Sequence, residues 1–148
     1  MYSKIALAAA LAAGLTAAPA LAAPAHETGG RPLMAMMNGA NEKPTPGDPK
    51  ATGMAHVMVN EGQNQVCWDV MVENLAQPTM AHIHKGGPAE AGPVALALTP
   101  PDAGGHSKGC ASADPALAKD LLQNPGAYYV NVHTATFKAG AIRGQLSK

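Results

Sequence analysis

Aromatic side chains are scarce: one Trp, three Tyr and one Phe make up 3% of the 148 residues. Aliphatic side chains must therefore fill any core. Charge is also sparse, at 14% of residues, and it is balanced, with 10 Lys+Arg against 10 Asp+Glu. No basic run occurs, which makes nucleic acid and anionic membrane surfaces poor candidate partners. After the N-terminal segment no apolar stretch approaches the roughly 20 residues needed to span a bilayer, so no membrane span is expected. No Ser sits in a Gly-x-Ser-x-Gly elbow, no carboxylates pair along a strand, and no glycine loop fits a phosphate. An enzymatic reading survives only through a redox metal.

What is present begins with a leader. Lys4 precedes the unbroken apolar run Ile5 to Leu15, small residues follow, and Ala20-Leu21-Ala22 forms a cleavage triplet. This pattern predicts a signal peptide over residues 1–22, with cleavage after Ala25 as the alternative that would leave His26 first. A short linker, 23–32, and one domain over 33–148 complete the expected organisation. The first cysteine is Cys67, far from the leader, so the pattern offers no lipid attachment site. The expected location is periplasmic or secreted. The mature chain of about 125 residues fits one domain. Removing Lys4 leaves 9 Lys+Arg against 10 Asp+Glu, a net charge of −1. Two cysteines in an exported chain, Cys67 and Cys110, read as a structural disulfide, with chemistry at a thiol as the alternative.

Along the chain, turn residues separate short apolar or alternating runs. Strands are expected at Pro32 to Met37, Met54 to Val59, Gln65 to Val72, Met80 to His84, Val94 to Leu98, Ala127 to Thr134 and Ala141 to Leu146. Asn60 to Asn64 supplies the Asn and Gly of a hairpin connection. Asn41 to Lys50, rich in Pro, reads as a loop, and so does Asp102 to Cys110 with its three glycines. Asp114 as N-cap, Pro115 at the first helical position and the Asn124-Pro125-Gly126 stop predict one short helix. About seven short strands with one small helix point to an antiparallel β-sandwich or flattened barrel. Trp68, Val70, Val130, Val132, Ile83 and Ile142 are the expected inward set.

Several strings occur in a telling order: Asn38-Gly39-Ala40-Asn41-Glu42, Ala51-Thr52-Gly53, Ala81-His82-Ile83-His84-Lys85-Gly86, Gly92-Pro93-Val94, Tyr128 to Thr134, and Gly140-Ala141-Ile142-Arg143-Gly144-Gln145-Leu146. Together they resemble the CHRD (chordin) domain family over roughly Leu33 to Leu146. The most specific pieces are His-x-His-x-Gly and Asn-Val-His-Thr followed by Ile-Arg-Gly-Gln-Leu. The resemblance implies an immunoglobulin-like or superoxide-dismutase-like β-sandwich, found as repeats in extracellular chordin and as lone domains in exported microbial proteins. It implies no particular activity. Ala141 stands where the family commonly has an acidic residue, which removes one partner expected for Arg143.

Strand parity puts His82 and His84 on one face, opposite Ala81 and Ile83. His133 shares its face with Asn131 and Tyr129, so three imidazoles converge if the two strands are neighbours. Such a set suits copper or zinc. It is similar in part to the copper ligands of copper-zinc superoxide dismutases, although no bridging histidine, zinc loop or fourth ligand is evident. The alternative is that these histidines hydrogen-bond to backbone and fix loops, or touch another ligand. His56 and His106 are less specific. The methionines, Met34, Met36, Met37, Met54, Met58, Met71 and Met80, are soft donors for Cu(I) or, more commonly, core filler. Arg143 is expected on the polar face, paired with Asp69 or Glu73 or attracting an anion. Three functional readings follow, in order: an extracytoplasmic binding or structural module whose partner is an unidentified protein or small ligand, a copper- or zinc-binding protein, and a metal-dependent redox enzyme.

Overall fold

The structure is a computed structural model that describes residues 30–148. The expected signal peptide, its two cleavage sites and most of the 23–32 linker lie outside the described residues. The chain forms β1 (Arg31–Asn38), β2 (Thr52–Asn60), β3 (Gln65–Glu73), β4 (Pro78–Lys85), β5 (Val94–Leu98), β6 (His106–Ser112), α1 (Pro115–Gln123), β7 (Tyr128–Thr134) and β8 (Ile142–Gln145). All strand pairs are antiparallel, in one sheet of order β5-β4-β7-β8-β1-β2-β3-β6. No helix among the described residues is long and apolar enough to cross a membrane.

Alternation decides which side of each strand enters the core. Leu33, Ala35 and Met37 of β1 are buried, as are Ala55, Val57 and Val59 of β2 and Val66, Trp68, Val70 and Val72 of β3. Ala81 and Ile83 of β4 join Tyr128, Val130 and Val132 of β7 and Ile142 of β8 in the same cluster. None of the six residues expected inward is more than 4% exposed. At about 1.5–3 kcal/mol for fully burying a Val, Leu or Ile side chain, this aliphatic cluster drives the sheet to curl on itself. The result is a flattened, nearly closed barrel.

The sheet's two edge strands meet through one hydroxyl. Ser107 of β6 accepts from the Trp68 indole N–H at 3.1 Å and donates to the carbonyl of Thr99, just after β5, at 2.6 Å. Strand β6 corrects the loop expected over Asp102 to Cys110. Its inward positions are the small residues Ser107, Gly109 and Ala111, because the Trp68 ring fills the space above them. A Cβ at Gly109 would run into that ring. Cys67 and Cys110 stand directly opposite in the β3–β6 register and form a disulfide.

The helix has the expected ends. Asp114 accepts from the Ala116 N–H at 2.8 Å, and Asn124 follows the last turn. Leu121 and Leu122 pack into the core. Asp120 ties α1 to the barrel by accepting from Tyr128 Oη at 2.6 Å and pairing with Lys85 at 2.9 Å.

Candidate metal centre

Strands β4 and β7 are neighbours, so the expected convergence of imidazoles occurs. In register, Met80 faces His133, His82 faces Asn131 and His84 faces Tyr129, while Arg143 of β8 flanks Asn131 on its other side. Antiparallel neighbours one step diagonal are within reach of long side chains, which brings His82 to His133. This face was expected to be the outer one. It is instead covered by the loop from Gly86 to Pro93: His84, His133, Asn131 and Arg143 are all buried, and only His82 keeps partial exposure. Gly92 makes the cover fit, since a Cβ there would overlap the Lys85 carbonyl.

Two carbonyls set the tautomers. His84 Nδ1 lies 2.8 Å from the Gly92 carbonyl and His133 Nδ1 lies 3.0 Å from the Lys138 carbonyl. A carbonyl only accepts, so both Nδ1 atoms carry the proton and both Nε2 atoms present a lone pair. His84 Nε2 is buried without a partner. His133 Nε2 lies 3.1 Å from His82 Nδ1 and 3.1 Å from Asn131 Oδ1. The amide of Asn131 hydrogen-bonds the Glu42 carboxylate, which directs its N–H there and its oxygen toward the His133 lone pair. The His133 lone pair thus finds no donor in Asn131, and either a proton on His82 Nδ1 or a cation can satisfy it. One ring nitrogen from each histidine lies within 4.8 Å of the others.

The electrostatics favour the neutral form of His82 and His133. Burial lowers the His82 pKa below the usual imidazole value, helped by His133 and His84; burial also lowers that of His133, partly offset by the Lys138 carbonyl. Neutral imidazole is the form that binds metal.

Arg143 corrects an expectation. It pairs with neither Asp69 nor Glu73. Its guanidinium is buried, donates to the carbonyls of Glu90 at 2.6 Å and Gly87 at 2.7 Å, and sits 3.3 Å over the Tyr129 ring. Tyr129 in turn stacks on His84, centroids 4.8 Å apart and planes nearly parallel, and accepts from the Gly92 N–H at 3.1 Å. Arg143 thereby clamps the loop that covers the histidines. Asp69 is taken by Lys108 and His106. His106 opens β6 and His56 sits mid-β2, both remote from the cluster in register.

Glu42 escaped the sequence reading. Its carboxyl is buried beside Arg143 and Asn131, and burial pushes its pKa up to about 7 against the pull of the guanidinium. Its place in the Asn-Gly-Ala-Asn-Glu string and the parity of Tyr129 with Asn131 and His133 were the available signals. The methionines also depart from expectation: among those on strands only Met37 is buried, and Met34, Met36, Met71 and Met80 are exposed.

A search of curated proteins finds no match to this sequence. The CHRD domain matches residues 33–146, a span that runs from the core residue Leu33 on β1 through His82, His84, Asn131, His133 and Arg143 to Leu146, and the chain therefore belongs to the CHRD domain family.

Proposed function

We propose that this CHRD domain is an exported module that holds one copper or zinc ion on His82, His84 and His133. The observation that carries the reading is the pair of backbone carbonyls, at Gly92 and Lys138, that fix two Nδ1 protons and leave both Nε2 lone pairs available, in a cluster where one ring nitrogen of each histidine lies within 4.8 Å of the others. Carbonyl partners on the far ring nitrogen are the usual support of metal-bound histidine. The scale fits as well. Tetrahedral ligands at 2.0–2.1 Å lie about 3.3 Å apart, close to the 3.1 Å between His82 and His133, and the widest separation closes by no more than about 1.5 Å. Three protein ligands leave a further position for water or an exogenous ligand. The leader pattern and the disulfide support export.

A second reading keeps the domain as a binding or structural module for an extracytoplasmic partner, the histidines only tying loops. It is favoured by the His82–His133 contact, which one shared proton satisfies without an ion. Metal analysis of protein purified from its native compartment, followed by calorimetric titration with copper(II) and zinc, separates the two. Stoichiometric binding that His84→Ala abolishes supports the metal reading. Equally weak binding by wild type and His84→Ala rejects it.

A further inference from the structure

The outer face of β1, β2 and β3 carries a pattern the three-histidine centre does not use. Met36, Met54 and Met71 are directly opposed across the three strands, and Met34, His56 and Asp69 form the next row on the same face. The inward positions that are buried on these strands are Leu, Ala and Val apart from Met37 and Trp68, with Gly53 facing the same side. Thioethers are thus concentrated on the side that faces solvent, where packing does not call for them. Met34 is 40% exposed, Met36 65% and Met71 42%. Met36, Met54 and Met71 line one shallow hollow of about 410 Å³, together with Glu73 and the buried Met37.

We propose that this face is a second metal site, selective for monovalent copper. Opposed residues on adjacent strands have Cβ atoms about 5 Å apart, and three rotatable bonds let the outer two thioethers bend toward Met54. Thioether sulfur is a soft donor that prefers Cu(I) to Zn or Cu(II). Both cysteines are closed in the disulfide, so methionine supplies the soft sulfur of the described chain. His56 and Met34, one row away, are further donors. Glu73 places a negative charge beside the hollow, whereas Asp69 is already paired with Lys108 and His106.

The site stands independently of the histidine centre, and its test keeps them apart. Ag(I), a redox-inert stand-in for Cu(I), is titrated into wild-type protein labelled with ¹³C at the methionine methyls, whose resonances report each thioether separately. The expected result is saturable shifts of Met36, Met54 and Met71 at one equivalent. The near-isosteric variant Met36→Leu/Met54→Leu/Met71→Leu should weaken that binding event at least tenfold and leave zinc binding at the histidines as it is in wild type. The proposal is overturned if the three methyls do not shift, or if the triple variant binds Ag(I) as wild type does. Self-association that the triple variant abolishes would overturn it too, by showing the face to be an interface between copies. The methyl readout requires no substitution.

Discussion

Glu42 shows how a single buried group sets a pH dependence. Its folded pKa is raised from 4.5 to about 7, so between those values the folded chain holds a proton that the unfolded chain has released. Stability therefore falls as pH rises through that window. Glu42→Gln mimics the protonated form, and urea denaturation should show it more stable than wild type near pH 8 by up to about 3 kcal/mol. The gain should vanish near pH 4, and a constant difference across that range would contradict the account. His82 and His133 act with the opposite sign: their folded pKa values are lowered, so the unfolded chain takes up protons first and acid below about pH 6.5 destabilises. The same protons compete with an ion, so copper or zinc should be released in that range, as equilibrium dialysis against pH would record.

His84→Ala should lower copper or zinc affinity more than about 100-fold, because losing even a supporting partner costs 10–100-fold; His106→Ala, on its separate Asp69 contact, should leave affinity unchanged. His84 is buried and holds the Gly92 carbonyl, so the same change should cost stability as well, about 1–3 kcal/mol in thermal denaturation. That cost was not legible in the sequence. Parity is a local property and placed His82 and His84 on one face, but burial of that face comes from the Gly86 to Pro93 loop and from Arg143, almost 60 positions downstream of it.

At the scale of elements, α1 was readable because its signals are contiguous: Asp114, Pro115 and the Asn124-Pro125-Gly126 stop. Asp114→Ala should cost about 1 kcal/mol, seen as a lower thermal midpoint. Strand β6 was hidden because its inward residues are small. The space they leave is taken by Trp68, some 40 positions earlier, and only the register reveals that Gly109 lies beneath it. The Cys67–Cys110 bond fastens this strand to β3. By the loop-entropy model, closing about 44 residues contributes roughly 4 kcal/mol, so Cys67→Ser/Cys110→Ser should lower the urea midpoint substantially. An unchanged midpoint would show that pairing alone holds β6.

For the whole molecule, the barrel's outer surface divides into two chemically different faces. Over β4, β7 and β8 the outer face is polar and roofed apart from the exposed Met80; over β1, β2 and β3 it is rich in thioether and open. Sequence alternation separated inside from outside on nearly every strand, yet it did not distinguish the two outsides. Methionine is apolar, so composition assigned it to the core, and only cross-strand register shows Met36, Met54 and Met71 in one solvent-facing row.

The chain has one tryptophan, and it sits where the sheet's edges meet, its indole N–H bound to the hydroxyl that also holds Thr99. Intrinsic fluorescence is therefore a gauge of that seam. If the edges part before the strands melt, the emission maximum should move to longer wavelength while far-ultraviolet circular dichroism is still that of the folded sheet.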